Sequence, residues 1–168
     1  MNKVKLPIVF GHRYRIECYD RQGRLKWVEE LDNLVVNEAL DDILNVYYKG
    51  TAAPTAFYVG LTDANPTFAA GDTMAAHAGW TENTSYSETA RPACTFGAVA
   101  NQSVDNSASP ATFSISAATT IGGAFLTTDA TKGGTLGKLI GGVAFTNARG
   151  LAAGDTLNVT VTASMSSA

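Results

Sequence analysis

Charged side chains are concentrated in the first fifty residues of this 168-residue chain. Residues 1–50 hold eight basic and eight acidic residues, whereas residues 51–168 hold only four and seven and are otherwise rich in Thr, Ser, Ala, Gly and Asn. A freely diffusing protein usually covers its surface with charges of both signs. A neutral segment rich in strand formers therefore predicts a β-domain whose polar, uncharged faces are partly covered by neighbouring molecules.

The N-terminal region, residues 1–34, is predicted to form an arm that contains a β-hairpin over 12–34. In its first strand, apolar residues alternate with charged or polar ones, as in a half-buried strand; they are Tyr14, Ile16 and Cys18. A turn at Asp20–Gly23 precedes a return strand whose outward charges suit a sheet edge. We expect the arm to be separable, so that a chain lacking residues 1–30 folds but loses its partner. The alternative is an extra pair of strands on the body's own sheet.

The remainder, residues 35–168, is predicted to be a β-body with one helix over 37–48. The helix has one apolar stripe at i, i+3, i+4 and i+7 spacing, formed by Leu40, Ile43, Leu44 and Tyr47. Asn37 is the predicted N-cap and Gly50 the predicted end of the helix.

Short strand patterns with Gly or Asp turns between them fill the rest of the body. They lie at 57–61, from Cys94 onward, and at 112–116, 121–126, 136–145 and 157–161. Such a series predicts an all-β fold, a jelly roll or β-sandwich with one short α-helix and an N-terminal β-hairpin arm. The Gly-Gly pairs at 122–123 and 141–142 predict bulges or close backbone approach. The long irregular segment 66–92 is typical of a functional or oligomeric connection.

The sequence offers no constellation for catalysis. His12 and His77 have no ligand at metal spacing, and there is no GxSxG nucleophile motif. We therefore expect a protein that is not an enzyme and has no metal or cofactor. Cys18 and Cys94 lack a CxxC spacing and are predicted to be small buried residues that stay reduced.

Several classes of partner and location are disfavoured. The net charge is −3 and no basic stripe is present, which argues against nucleic-acid binding. No apolar segment is long enough to span a bilayer, so no membrane contact is expected. The apolar run at 6–10 is too short for a signal peptide, and we expect synthesis in a cytoplasm.

Seven residues are predicted to contact a partner. Five lie in the arm: Arg13, Arg15, Arg21, Arg24 and Trp27. The other two, Trp80 and Tyr86, lie in the long segment 66–92, where exposed aromatic rings would be interface anchors or sugar-stacking platforms. The alternative for these two rings is that they cover one end of the core.

Several stretches together resemble virion proteins of tailed bacteriophages. They are residues 34–44, 57–63, 72–82, 90–97, 121–126 and 153–157. The order of these stretches is similar to head decoration (cement) proteins with a jelly-roll body, over about residues 34–163. The resemblance implies no catalytic residues. It implies a homo-oligomer, a dimer or trimer, that binds the major capsid protein on the exterior of the capsid and stabilises the head.

Two other functions are kept as alternatives. One is a tail, baseplate or fibre-base protein of the virion, which would share this composition and fold. The other is a carbohydrate-binding module on the virion surface that uses Trp80 and Tyr86.

Overall fold

The computed structural model describes residues 8–167 and consists of two antiparallel sheets and one helix. The elements in chain order are β1 (Ile8–Tyr19), β2 (Leu25–Asp32), β3 (Leu34–Val35), α1 (Asn37–Lys49), β4 (Tyr58–Asp63), β5 (Glu82–Asn83), β6 (Ser103–Asp105), β7 (Ala111–Ser114), β8 (Thr119–Thr127), β9 (Leu139–Leu151) and β10 (Thr156–Ser167). The first sheet has the order β2-β1-β10-β6, with β7 also paired to β10, and the second has the order β3-β9-β8-β4-β5. The predicted all-β sandwich with one short helix is confirmed.

The predicted hairpin is confirmed, but it is built into the first sheet. β1 pairs with β10 over its whole length, from Ile8 opposite Ser167 to Tyr19 opposite Thr156. β2 pairs with the other side of β1 and forms the sheet edge. The inward side chains of β1 are fully buried in the core; they are Tyr14, Ile16 and Cys18. β1 thus supplies part of the wall of the body's core, which favours the alternative of an extra pair of strands on the body's own sheet, while the separability of the arm stays a prediction.

Helix α1 has the predicted extent, but its apolar stripe faces outward. It ends at Gly50, whose left-handed conformation (φ 67°) lets its N–H donate to the Asn45 carbonyl. Val36, not Asn37, occupies the N-cap position, and no side chain caps the helix. The buried side chains of the helix are those of Ala39 and Asp42.

Two carboxylates fix the rotation of α1 against the second sheet. Asp42 forms an ion pair with Lys138, just before β9. Glu38 accepts a hydrogen bond from the Leu139 amide at 3.0 Å. The small side chain of Ala39 lies on the same face, so the helix approaches β9 through this polar and small-residue face. The bulkier apolar residues are consequently left on the opposite side.

The segment between β4 and β5 covers the outer face of the second sheet. Phe68 packs on the backbone of Gly142, where an added Cβ would lie 2.1 Å from the phenyl ring. Likewise, a Cβ added at Gly60 would lie 2.1 Å from the ring of Phe125. Because only glycine leaves this space, the close backbone approach predicted at the 141–142 pair is confirmed.

The strand predicted from Cys94 onward is wrong, since residues 93–100 form only isolated bridges.

Candidate interaction surface

The four arginines predicted as contacts are exposed on the hairpin, and each already has a partner within the chain. Arg13 pairs with Asp32 at 3.1 Å, Arg15 with Glu17 and Glu30 at 2.7 Å each, Arg24 with Asp20 at 2.7 Å, and Arg21 donates to the Ala153 carbonyl at 2.9 Å. Exposed pairs of this kind contribute about 1 kcal/mol or less to stability. A partner that approached here would meet a charge-balanced surface, and the contact role of these arginines stays a prediction.

Trp27 is half-buried and helps to close one side of the sandwich. Its ring lies 6.3 Å from the Phe145 ring in an edge-on arrangement, and the Arg149 guanidinium lies 5.3 Å above it. Next to it, the buried Glu29 accepts hydrogen bonds from the Thr146 amide at 2.8 Å and from Arg149 at 3.2 Å. These contacts tie β2 to β9, so Trp27 has a structural role whether or not it also contacts a partner.

Trp80 and Tyr86 lie in the core and not on the surface. Trp80 is 6 % exposed, is stacked under His77 at 3.7 Å, and donates through Nε1 to Asp72 at 3.1 Å. Tyr86 is 2 % exposed and packs edge-on against Phe113 at 5.0 Å. Neither ring offers area to a partner or a free face to a sugar, so their prediction as exposed anchors is corrected. The alternative, that they cover the core, is what the structure shows.

A buried arginine that the sequence reasoning did not single out organises the region around these rings. Arg91 is 2 % exposed and binds both carboxylate oxygens of Glu82, at 3.0 and 2.7 Å. It also donates to the carbonyls of Asp129 at 2.9 Å and Gly134 at 2.6 Å, and lies 5.3 Å from the Phe125 ring. The arginine thus joins the segment before it to the turn between β8 and β9. The available signal is the rarity of charge after residue 50, which makes each remaining arginine a candidate for a buried role.

An exposed apolar surface surrounds the outer side of α1, and we call it the α1 face. It consists of Ile8 (72 % exposed), Leu40 (40 %), Leu44 (54 %), Tyr47 (80 %), Tyr48 (75 %) and Met165 (42 %). The helix supplies four of these side chains, and the start of β1 and the end of β10 supply the other two. The sequence shows the helical stripe, but only the structure shows that it faces outward and continues onto the strand ends.

The α1 face is large for the surface of a single chain. Two tyrosines exposed to this degree leave roughly 300 Å² accessible, and the aliphatic side chains bring the total to on the order of 600 Å². Apolar patches of that size mark interaction sites. An adjoining groove of about 360 Å³ runs between the helix and the strand ends, and its lining includes Phe10, Ile43, Phe57 and Phe96. The surface therefore has the character of an assembly interface.

His12 lies on the wall of this groove and is buried. The side chain is 4 % exposed, its Nδ1 is 3.2 Å from the Asn33 amide nitrogen, and its ring meets the Phe10 ring edge-on at 4.9 Å. Burial lowers the pKa of His12 to about 4, although the Asn33 hydrogen bond opposes the shift. The imidazole is thus neutral in the folded protein at and above pH 5.

We expect His12 to make the stability depend on pH between about 6.5 and 4. In this window the unfolded chain binds a proton at His12 and the folded chain does not, so the free energy of unfolding falls as the pH falls. Across this pH window, His12 lowers the free energy of unfolding by on the order of 3 kcal/mol in total. Denaturant unfolding of the native protein and of His12→Gln at several pH values measures it, with the variant losing this part of the slope. Parallel pH profiles for the two proteins would contradict the assignment.

The two cysteine thiols are enclosed in the fold. Both cysteines are free and buried as predicted, and burial raises the pKa of the Cys18 thiol to about 11 and that of Cys94 to about 12.

Within residues 8–167, no three His, Cys, Asp or Glu side chains come together as a metal site would require. No helix in the same range is long and apolar enough to cross a bilayer.

The comparison with known families decides the class of protein. The model of the family described as podophage GP4 fiber I protein gp80 matches residues 35–166. The chain belongs to this family. It is therefore a virion protein of a tailed phage, which confirms the predicted resemblance at that level, while the match does not specify a head decoration protein. A search of curated proteins gives no match.

The matched range contains most of the sandwich and most of the α1 face. It begins at Val35, the last residue of β3, and extends to one residue before the end of β10. The hairpin formed by β1 and β2 lies outside the match, although β1 is paired with β10 along its whole length. The family relation thus concerns the body, with the helix and its exposed stripe included.

Proposed function

We propose that this protein is a non-enzymatic structural subunit of the fibre, or of the base by which the fibre joins the tail. The observation that carries the proposal is the family match over residues 35–166, whose description names a fibre protein. Head decoration, the function implied by the first resemblance, has no comparable support. The alternative of a tail, baseplate or fibre-base protein fits the family better.

The surface of the folded chain supports an assembly role. The α1 face leaves on the order of 600 Å² of apolar area in contact with solvent, which is unfavourable unless a neighbouring molecule covers it. The outer face of the first sheet carries Thr, Asn and paired charges, and suits flat polar contacts. Several modest contacts of this kind become strong when many copies are held together in a particle.

Quantitative mass spectrometry of purified virions tests the location. We expect a copy number far below that of the major capsid protein, and enrichment of the protein in isolated tails over separated heads. Gold-labelled antibodies against the chain should mark the tail end of the particles in electron micrographs. A ratio near one with label spread over the head would establish decoration and overturn the fibre proposal, as would absence from the virion.

A further inference from the structure

We infer that the α1 face is the contact surface for a second copy of this chain, with the two α1 helices crossing antiparallel about a two-fold axis. The inference rests on the proposed assembly role and names the partner of that surface. The size of the face, its distribution of charge and the geometry of the helix support such a contact.

The size of the face suits a contact between copies. A stable protein interface buries about 800 Å² on each partner, with aromatic and aliphatic side chains at its centre and polar residues at its rim. The α1 face provides on the order of 600 Å² of apolar area before any rim is counted. Two adjacent tyrosines, Tyr47 and Tyr48, whose rings meet edge-on at 5.0 Å, give it the aromatic content typical of binding hot spots.

The helix geometry makes the face self-complementary. With 3.6 residues per turn, Leu40, Leu44 and Tyr47 lie along one side of α1. Leu44 lies near the middle of the helix, which spans Asn37–Lys49. A two-fold axis close to Leu44 therefore places Leu40 of one copy opposite Tyr47 and Tyr48 of the other. The contact is then isologous, and it closes after two copies.

The charges at the rim favour the antiparallel arrangement. Asp41 near the start of the helix and Lys49 at its end are both exposed. At 3.6 residues per turn they lie about 80° apart around the helix, on the same side of the stripe. Neither forms an ion pair with any residue from 8 to 167. They are about 12 Å apart along their own helix, too far to pair with each other. Across the two-fold axis, Asp41 of each copy lies beside Lys49 of its neighbour and can form an ion pair with it. The dipoles of two antiparallel helices also attract each other, which further stabilises the contact.

The same rim argues against a strongly charged partner. Among residues 8–167, α1 presents beside the stripe one acid and one base that lack an ion pair, so the described part of the face has no net charge with which to attract a basic or acidic molecule. A second copy satisfies both charges and covers the apolar centre. The structure thus favours self-association over contact with a nucleic acid or a charged segment of another protein.

Analytical ultracentrifugation of the full chain between about 1 and 100 µM tests the inference. We expect a monomer–dimer equilibrium, and we expect Leu44→Asp to raise its dissociation constant by about 30-fold or more, because the charge would be buried at the centre of the contact. Leu25→Asp is the matched control. Leu25 is also 54 % exposed, but it lies near the other end of β1, about 35 Å from Ile8. This control should leave the equilibrium unchanged.

A charge exchange tests the antiparallel geometry. Asp41→Lys and Lys49→Asp should each weaken the dimer by roughly 3- to 10-fold, and the double variant should return to within about 2-fold of the native value. Thermal melts of the diluted monomers check that every variant is folded. A native chain that stays monomeric at 100 µM would overturn the inference, as would an oligomer insensitive to Leu44→Asp. A trimer, or a double variant that fails to recover, would overturn the two-fold arrangement. None of these results depends on where the protein lies in the virion.

Discussion

Deletion of residues 1–30 is expected to leave a chain that does not fold. The deletion removes β1, an interior strand of the first sheet, and exposes the β10 edge that pairs with it from end to end. It also removes Tyr14 and Ile16, two large and fully buried core side chains that each contribute on the order of 1.5–3 kcal/mol, together with the smaller, fully buried Cys18. With the lost strand pairing, this loss approaches the whole stability of a typical domain. Far-UV circular dichroism, dispersion of the amide NMR spectrum and size-exclusion chromatography measure the outcome.

The control separates the role of the strand from the role of its charges. A full-length variant with all four hairpin arginines replaced by alanine should keep the fold, because their side chains are exposed; the positions are Arg13, Arg15, Arg21 and Arg24. If that variant folds but is lost from virions, the arginines are contacts, as the sequence predicts. If it is incorporated normally, they are not. A truncated chain with a dispersed spectrum and a cooperative melt would contradict the integral role of β1.

Replacement of Arg91 by methionine is expected to cost about 3–5 kcal/mol. The substitution leaves the Glu82 carboxylate, whose side chain is 8 % exposed, without its cation, and an uncompensated buried charge is strongly destabilising. It also leaves the Asp129 and Gly134 carbonyls without their donor. For a chain of this size the loss corresponds to a melting temperature lower by roughly 6–20 °C. Denaturant unfolding and calorimetry measure both quantities.

Arg15→Met is the matched control, since Arg15 also contacts two carboxylates at 2.7 Å but is 44 % exposed. Its replacement should cost about 1 kcal/mol or less. The double variant Arg91→Met/Glu82→Gln should recover part of the loss, because it removes the stranded charge along with the arginine. Equal costs at Arg91 and Arg15 would show that burial does not control the strength of the Arg91 network.

Features set by local chemistry could be predicted from the sequence. The hairpin turn follows from the glycine at its last position, and Gly23 does adopt φ 75° while its amide donates to the Asp20 carbonyl at 2.8 Å. Gly50 ends α1 for the same kind of reason. The strands from β7 to β10 each contain a predicted pattern, because alternation of polar and apolar residues is a property of a few neighbouring residues.

The direction of the α1 stripe could not be predicted in this way. Periodicity shows that a helix has an apolar side, but it does not show which neighbour lies against that side. Here Lys138, 96 positions further along the chain than Asp42, binds that carboxylate and so places its side of α1 against β9. Such a partner is visible only once β9 is placed beside the helix.

The burial of Trp80 has a similar explanation. Its ring packs 4.8 Å from the Phe125 ring on the outer face of the second sheet, where Gly60 and Gly142 leave room for aromatic rings. These glycines are distant in sequence and become neighbours of Phe125 only through the strand register. The sequence alone does not show that these three residues are neighbours. It therefore leaves both burial and surface exposure open for an aromatic ring in a long loop.

The pairing of β1 with β10 has a practical consequence for engineering the molecule. Ile8 and Ser167 are directly opposite each other in the register, so a short linker between them would allow circular permutation, with new ends cut into the Asp20–Gly23 turn. The same adjacency means that an affinity tag joined directly to Ile8 or to Ser167 would emerge beside the apolar helix surface and compete for it. An epitope inserted in the turn, at the far end of β1, would label the particle and leave that surface free.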